Sequence, residues 1–140
     1  MLTLRSLKMT NFGPFYGSQE LLFPTEPGVT IVFGENGRGK TTLLNAFRFA
    51  LFGIIKTRAA QQITRLDLLN SEARDAGEYR YTVVLRFDHD FDSYELTRAV
   101  APRPDVVAPS SHLPIAAFHS QLISFTFVPH VGVHMPRGVK

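Results

Sequence analysis

An α/β domain built around a phosphate-binding loop is the fold class this sequence predicts, and three observations predict it. Gly34-Glu35-Asn36-Gly37-Arg38-Gly39-Lys40-Thr41-Thr42 fits the pattern G-x-x-x-x-G-K-[ST]. A short apolar run, Val29-Thr30-Ile31-Val32-Phe33, leads into it, and a helix-like run from Lys40 to Phe52 leaves it. Segments that alternate apolar and polar residues stand before and after this unit, as half-buried strands do.

The loop chemistry calls for these residue types. Glycines at 34, 37 and 39 allow the backbone to curl so that successive N–H groups converge on phosphate oxygens at the positive end of the following helix. Lys40 then reaches toward the β- and γ-phosphates, Thr41 offers its hydroxyl to Mg²⁺, and Thr42 is placed to bond an α-phosphate oxygen. A glycine-rich turn that only starts a helix has no use for the Gly-Lys-Thr ending.

In chain order, Leu2, Leu4, Leu7 and Met9 alternate with Thr3, Arg5, Ser6 and Lys8, and the slip at Ser6 predicts a bulge in a strand over 2–10. Asn11-Phe12-Gly13-Pro14 is a turn, and Ser18 to Phe23 is a second strand ended by Pro24 and Pro27-Gly28. Val29 to Phe33 reads as a strand covered on both faces. From Lys40 to Phe52 the apolar residues leave almost no polar face, which predicts a helix packed on nearly every side and stopped by Gly53. Asn45 and Arg48, three apart on that helix, belong at a rim rather than a catalytic centre.

Between Ile54 and Arg74, Ile63, Leu66 and Leu69 suggest a short helix with one apolar edge. Its Lys56, Arg58, Arg65 and Arg74 could touch DNA phosphates or form a solvated face balanced by Asp67 and Glu72. Tyr79 to Phe87 and Tyr94 to Arg98 read as two strands joined by an acidic turn. Asp88 ends an apolar run in the manner of a Mg²⁺-holding aspartate, but Arg86 implies an exposed face where such a strand would be buried.

Beyond residue 100 the composition shifts. Six of nine prolines and four of five histidines lie in 101–140, which predicts a segment contributing little to the core, with a paired strand only over Leu122 to Val128. His130 and His134 are four apart, as helical metal ligands are, but Pro129, Gly132 and Pro136 argue against a helix there and no acidic partner is near.

The 140 residues amount to one domain with a single core. A net charge of +3 is compatible with nucleic acid without arguing for it, and the absence of cysteine excludes disulfides and thiolate metal sites. With no signal-like start and no long apolar run, the expectation is a cytoplasmic chain with no membrane partner.

Asn11-Phe12-Gly13-Pro14-Phe15, the loop from Gly34 to Leu44, Ala50-Leu51-Phe52-Gly53 and the strand pair ending in Tyr94-Glu95-Leu96-Thr97-Arg98 together resemble the N-terminal lobe of SMC-like ABC ATPases. These are the SbcC, RecF, RecN and DndD type proteins of DNA repair and DNA modification. The resemblance implies a P-loop NTPase fold, an ABC-ATPase-like lobe with antiparallel strands before and after the phosphate loop and first helix. It also implies an ATP-binding lobe over residues 1–100, followed by a Pro/His-rich segment over 101–140.

By that resemblance Gly34, Asn36, Gly37, Arg38, Gly39, Lys40, Thr41 and Thr42 bind ATP, with Thr41 on Mg²⁺. Arg38 stands where most members carry a small residue, as in the DndD branch, and Gly13 stands where many carry a basic one. Gln121 is the candidate for the Mg²⁺-sensing glutamine. The coiled coil, the serine-glycine signature and the aspartate-glutamate pair that complete hydrolysis have no counterpart in the sequence. The implied partners are DNA, through the full ATPase, and a C-terminal lobe or head dimer. Two other classes stay open: a non-catalytic nucleotide-binding module or truncated relic, and a small P-loop kinase or GTPase. The second lacks an Asn-Lys-x-Asp guanine reader.

Overall fold

Five antiparallel strands in the order β2-β1-β3-β4-β5 form one sheet, with a helix across one face. The computed structural model describes residues 1–35, 37, 39–55 and 67–102, and the backbone alone of 66 and 118–128. The strands are β1 (Leu2–Phe12), β2 (Phe15–Leu22), β3 (Tyr81–His89), β4 (Asp92–Pro102) and β5 (Phe118–Val128). Helix α1 runs over Lys40–Phe52 and the short α2 over Ser71–Asp75, preceded by a single 3₁₀ turn at Leu66–Leu68.

The expected bulge is present. Leu4 pairs with Phe87 and Ser6 with Arg86, so Arg5 is the extra residue, and both Ser6 and Leu7 are buried there. Beyond it the alternation resumes, with Leu7 and Met9 inward and Lys8 and Thr10 less covered. Strand β1 continues two residues past the expected end and β2 starts at Phe15, which leaves a tight turn at Gly13-Pro14. Asn11 makes that possible: its backbone is left-handed, its Oδ1 accepts from Gly17 N at 2.9 Å, and its Nδ2 donates to Glu78 Oε2 at 2.9 Å.

The predicted hairpin after the helix is also present as β3 and β4, paired from Tyr81 with Val100 to His89 with Asp92. Residues directly opposite share a face. Tyr81, Val83 and Leu85 therefore line the inner face with Val100 and Leu96, where Ala46, Phe49 and Ala50 of α1 cover them. Phe12, Phe49 and Tyr81 meet at the centre, with ring centroids 5.5–5.8 Å apart in tilted and edge-on pairs. Removing one such ring costs about 3–5 kcal/mol. The outer face carries charge instead: Arg86 donates to Glu95 at 2.7 Å and lies 3.5 Å from Glu20.

Three expectations are corrected. Val29 to Phe33 is not a strand: among the described residues no strand pairs with it, and Val29 and Phe33 are 88% and 86% exposed. A strand covered on both faces needs neighbours for its backbone groups and for its side chains, and the sheet described runs through β1 instead. Helix α1 is likewise packed on one side only. Leu44, Leu51 and Phe52 stay exposed because a single sheet face covers it. Finally, β5 begins at Phe118, four residues before the expected start, and pairs with β4 as far as Val128. The short helix expected near Ile63, with Lys56, Arg58 and Arg65, lies largely outside the described residues, as do His130 and His134; Leu69 follows the 3₁₀ turn and Arg74 sits on α2.

Candidate functional site

Helix α1 starts at Lys40 because Gly39 can take the conformation its start requires. Its φ is +98°, a region open to glycine and closed to most side chains, and a Cβ there would stand 2.7 Å from Cζ of Phe15. The first turn of α1 contains no acidic residue, and Gly39 provides no side-chain cap. The positive end of the helix therefore has neither a side-chain cap nor an acidic side chain in its first turn.

Lys40 folds back over the loop that precedes it. Its Nζ donates to the carbonyl oxygens of Gly34 and Glu35, the second at 2.9 Å. One ammonium thus bridges two carbonyls of the loop, and Thr41 and Thr42 follow it on the first turn of α1. One cation, two hydroxyl-bearing residues and the N–H groups of a helix start follow one another here, residue types whose chemistry suits an oxyanion. Of the residues named for this loop, Lys40 meets Gly34, while Gly37, Gly39, Thr41 and Thr42 are described without a bond between them, and Asn36 and Arg38 lie outside the described residues.

The other candidates stand elsewhere. Asp88 is held on the sheet by Arg5 and by Ser93, whose Oγ donates to it at 2.8 Å. Its strand neighbour Arg86 is exposed, so β3 is not the buried metal-holding strand, as the charge at 86 anticipates. Gln121 lies on β5 in register with Ala99. Among the described residues no cluster of three His, Cys, Asp or Glu side chains could hold a metal ion, and no helix is long and apolar enough to cross a membrane.

Sequence reasoning missed the support behind the loop. The β1–β2 turn leans on it through Phe15 at Gly39 and through Gly13, whose Cα lies so close to Thr42 that an added Cβ would stand 2.7 Å from Thr42 Cγ2. Buried Asn70 holds that turn from behind, its Nδ2 donating to Gly13 O at 2.9 Å. An asparagine before Ser71-Glu72 signals a helix cap, and Asn70 does cap α2 by accepting from Ala73 N at 3.1 Å. Nothing local signals its second bond, to a residue 57 positions earlier.

The AAA domain family matches residues 6–104 of the chain. Over 84 residues the chain is 32% identical to the DNA double-strand break repair Rad50 ATPase of Thermoplasma acidophilum, covering 60% of this chain and 8% of that protein. It is 35% identical over 75 residues to the Rad50 ATPase of Halobacterium salinarum, covering 54% and 8%. The chromosome partition protein Smc of a Synechococcus species is 32% identical over 92 residues, covering 63% and 7%. The matched stretch is under a tenth of the length of each relative. With a mixed α/β structure and an antiparallel sheet, the chain belongs to the AAA domain family, as the N-terminal region of an SMC-like ABC ATPase.

Proposed function

We propose that the loop from Gly34 to Thr42 binds Mg-ATP, and that the chain is the ATP-binding part of an SMC-like ATPase acting in DNA double-strand break repair or DNA modification. The observation that carries this reading is the Lys40 ammonium, held across the loop at the uncapped start of α1. An entering γ-phosphate would replace the two neutral carbonyl partners of this ammonium with charged oxygens, adding ion-pair attraction to bonds whose donor is already charged. Thr41 is the Mg²⁺ ligand in this reading, and Gly34, Asn36, Gly37, Arg38 and Gly39 line the cradle. Bound Mg²⁺ would neutralise phosphate charge; the chain's own residues bind and orient.

Hydrolysis additionally needs a carboxylate on the metal and a positioned water. Asp88 is committed to Arg5 and Ser93, which supports a site completed by another lobe, across a head dimer in the complete ATPase. The exposed apolar side chains of Val29, Ile31, Phe33, Leu51 and Phe52 support the same view, since a further lobe would cover them.

The test is titration of the 140-residue chain with a fluorescent ATP analogue and Mg²⁺, alongside phosphate release. Binding lost in a folded Lys40→Ala variant, with turnover near background until a C-terminal lobe is added, is the expected result. Unchanged affinity in Lys40→Ala would remove the reading, and stronger competition by GTP than by ATP would point to the GTPase class.

A further inference from the structure

The turn between β1 and β2 is gripped from two directions. In front, Phe15 and Gly13 meet the phosphate loop and its helix at Gly39 and Thr42, both at distances that leave no space for a Cβ. Behind, Gly13 N donates to Leu68 O at 2.7 Å, Asn70 N donates to Asn11 O at 3.0 Å, and Asn70 Nδ2 donates to Gly13 O at 2.9 Å. Asn70 is 3% exposed, and its remaining polar atom, Oδ1, is taken by Ala73 N. A buried amide with each group engaged has one orientation available, so it fixes the turn in position.

We propose that Asn70 is a positioning residue for the phosphate loop, acting through the β1–β2 turn without touching nucleotide. This inference rests on the reading of the loop as a nucleotide site. Gly39 at φ +98° has other conformations open to it, and the Phe15 ring lies directly against it, within 2.7 Å of where a Cβ would stand. Where a loop visits its binding-competent form only part of the time, affinity falls by that fraction. A loop competent about a tenth of the time without its support binds about tenfold more weakly.

Asn70→Asp separates the two duties of this side chain. Aspartate caps a helix as well as asparagine does, so α2 keeps its cap. The donor to Gly13 O, however, becomes a second carboxylate oxygen facing a carbonyl oxygen. Phe15→Leu removes the ring at Gly39 and leaves every Asn70 bond in place. Titration of the full chain with a fluorescent ATP analogue and Mg²⁺, well below the melting transition, should show about tenfold weaker binding for each variant. The double variant should also lose about tenfold rather than a hundredfold, because both act on one path.

A lowered melting temperature with unchanged affinity in Asn70→Asp would mark a purely structural role and overturn the inference. So would a hundredfold loss in the double variant. If Asn70→Asp does not fold, unchanged affinity in Phe15→Leu overturns it alone. Lys40→Ala keeps the two levels apart: binding that survives it removes the nucleotide reading itself. Binding lost in Lys40→Ala but untouched by Asn70→Asp overturns only the role of Asn70.

Discussion

Arg98 Nε donates to the carbonyl oxygen of Ala50 at 3.1 Å, so strand β4 supplies a cation to the C-terminal end of α1, whose own last turn has none. Arg98 shares the inner face with Val83, directly opposite it, and its stem passes over apolar surface while its head reaches the helix end. Partial burial pushes its pKa below the ordinary guanidinium value, yet it stays charged. Replacing it by methionine keeps the stem and removes the charged bond. That should cost about 1 kcal/mol once solvent screening is allowed for. The check is the urea midpoint of Arg98→Met, and no displacement would show the bond to be energetically silent.

Gly53 ends α1 at φ +73°, with its N–H bonded to Phe49 O at 2.8 Å. A Cβ here would lie 2.8 Å from Arg98 Nη1, so alanine meets both a left-handed backbone and the guanidinium. Gly53→Ala should lose about 1–2 kcal/mol from the backbone alone. Because Arg98 can be removed first, the loss should shrink in an Arg98→Met background. Strict additivity in that double-mutant cycle would contradict the contact.

The chain's terminal ammonium, hydrogen-bonded to Asp90, holds that carboxyl below the usual carboxylate range, with His89 acting in the same direction. A carboxylate whose folded pKa is depressed stabilises the fold above its unfolded pKa, and the contribution is lost as pH falls through the folded value. The difference in midpoint between wild type and Asp90→Asn should therefore be small but present at neutral pH, should fall away on acidification through the lowered folded value, and should shrink in high salt. A difference that grows on acidification would reverse the assigned sign.

Thr41 is exposed on the first turn of α1 beside Lys40. In the proposed site its hydroxyl is a metal ligand, whereas Lys40 meets phosphate directly. Thr41→Ala should bind the nucleotide analogue with its Mg²⁺ dependence reduced, losing about tenfold in affinity with metal and little in EDTA. Equal losses with and without metal would move the metal contact to another residue.

Local pattern carried much of this architecture. The slip at Ser6 marked the Arg5 bulge, Gly53 marked the end of α1, and the acidic turn marked the β3–β4 hairpin, because each is decided within a few residues. What failed was decided at a distance. Val29 to Phe33 has a strand's composition but no partner in the described sheet, and the periodicity of α1 records how apolar its faces are, not what covers them. The early start of β5 at Phe118 depends on an edge offered by β4. Asn70 was invisible as a support, since its role arises only when residues 11–13 and 68–70 meet.

The strand order carries a consequence for how the molecule assembles in time. The β1–β2 and β3–β4 pairs close through short turns, whereas β1 and β3 join partners as far apart as Leu2 and His89. Closing the longer span adds little to the equilibrium cost, about 0.6 kcal/mol for each doubling of loop length, but distant pairings of this kind slow the search. The backing of the phosphate loop needs that late junction, because Asn70 and Leu68 precede β3 while the turn they grip follows β1. In refolding, fluorescence from a bound ATP analogue should rise with the slowest phase rather than with hairpin formation. A nascent chain would acquire its two ribbons early and the support behind the Gly34–Thr42 loop last.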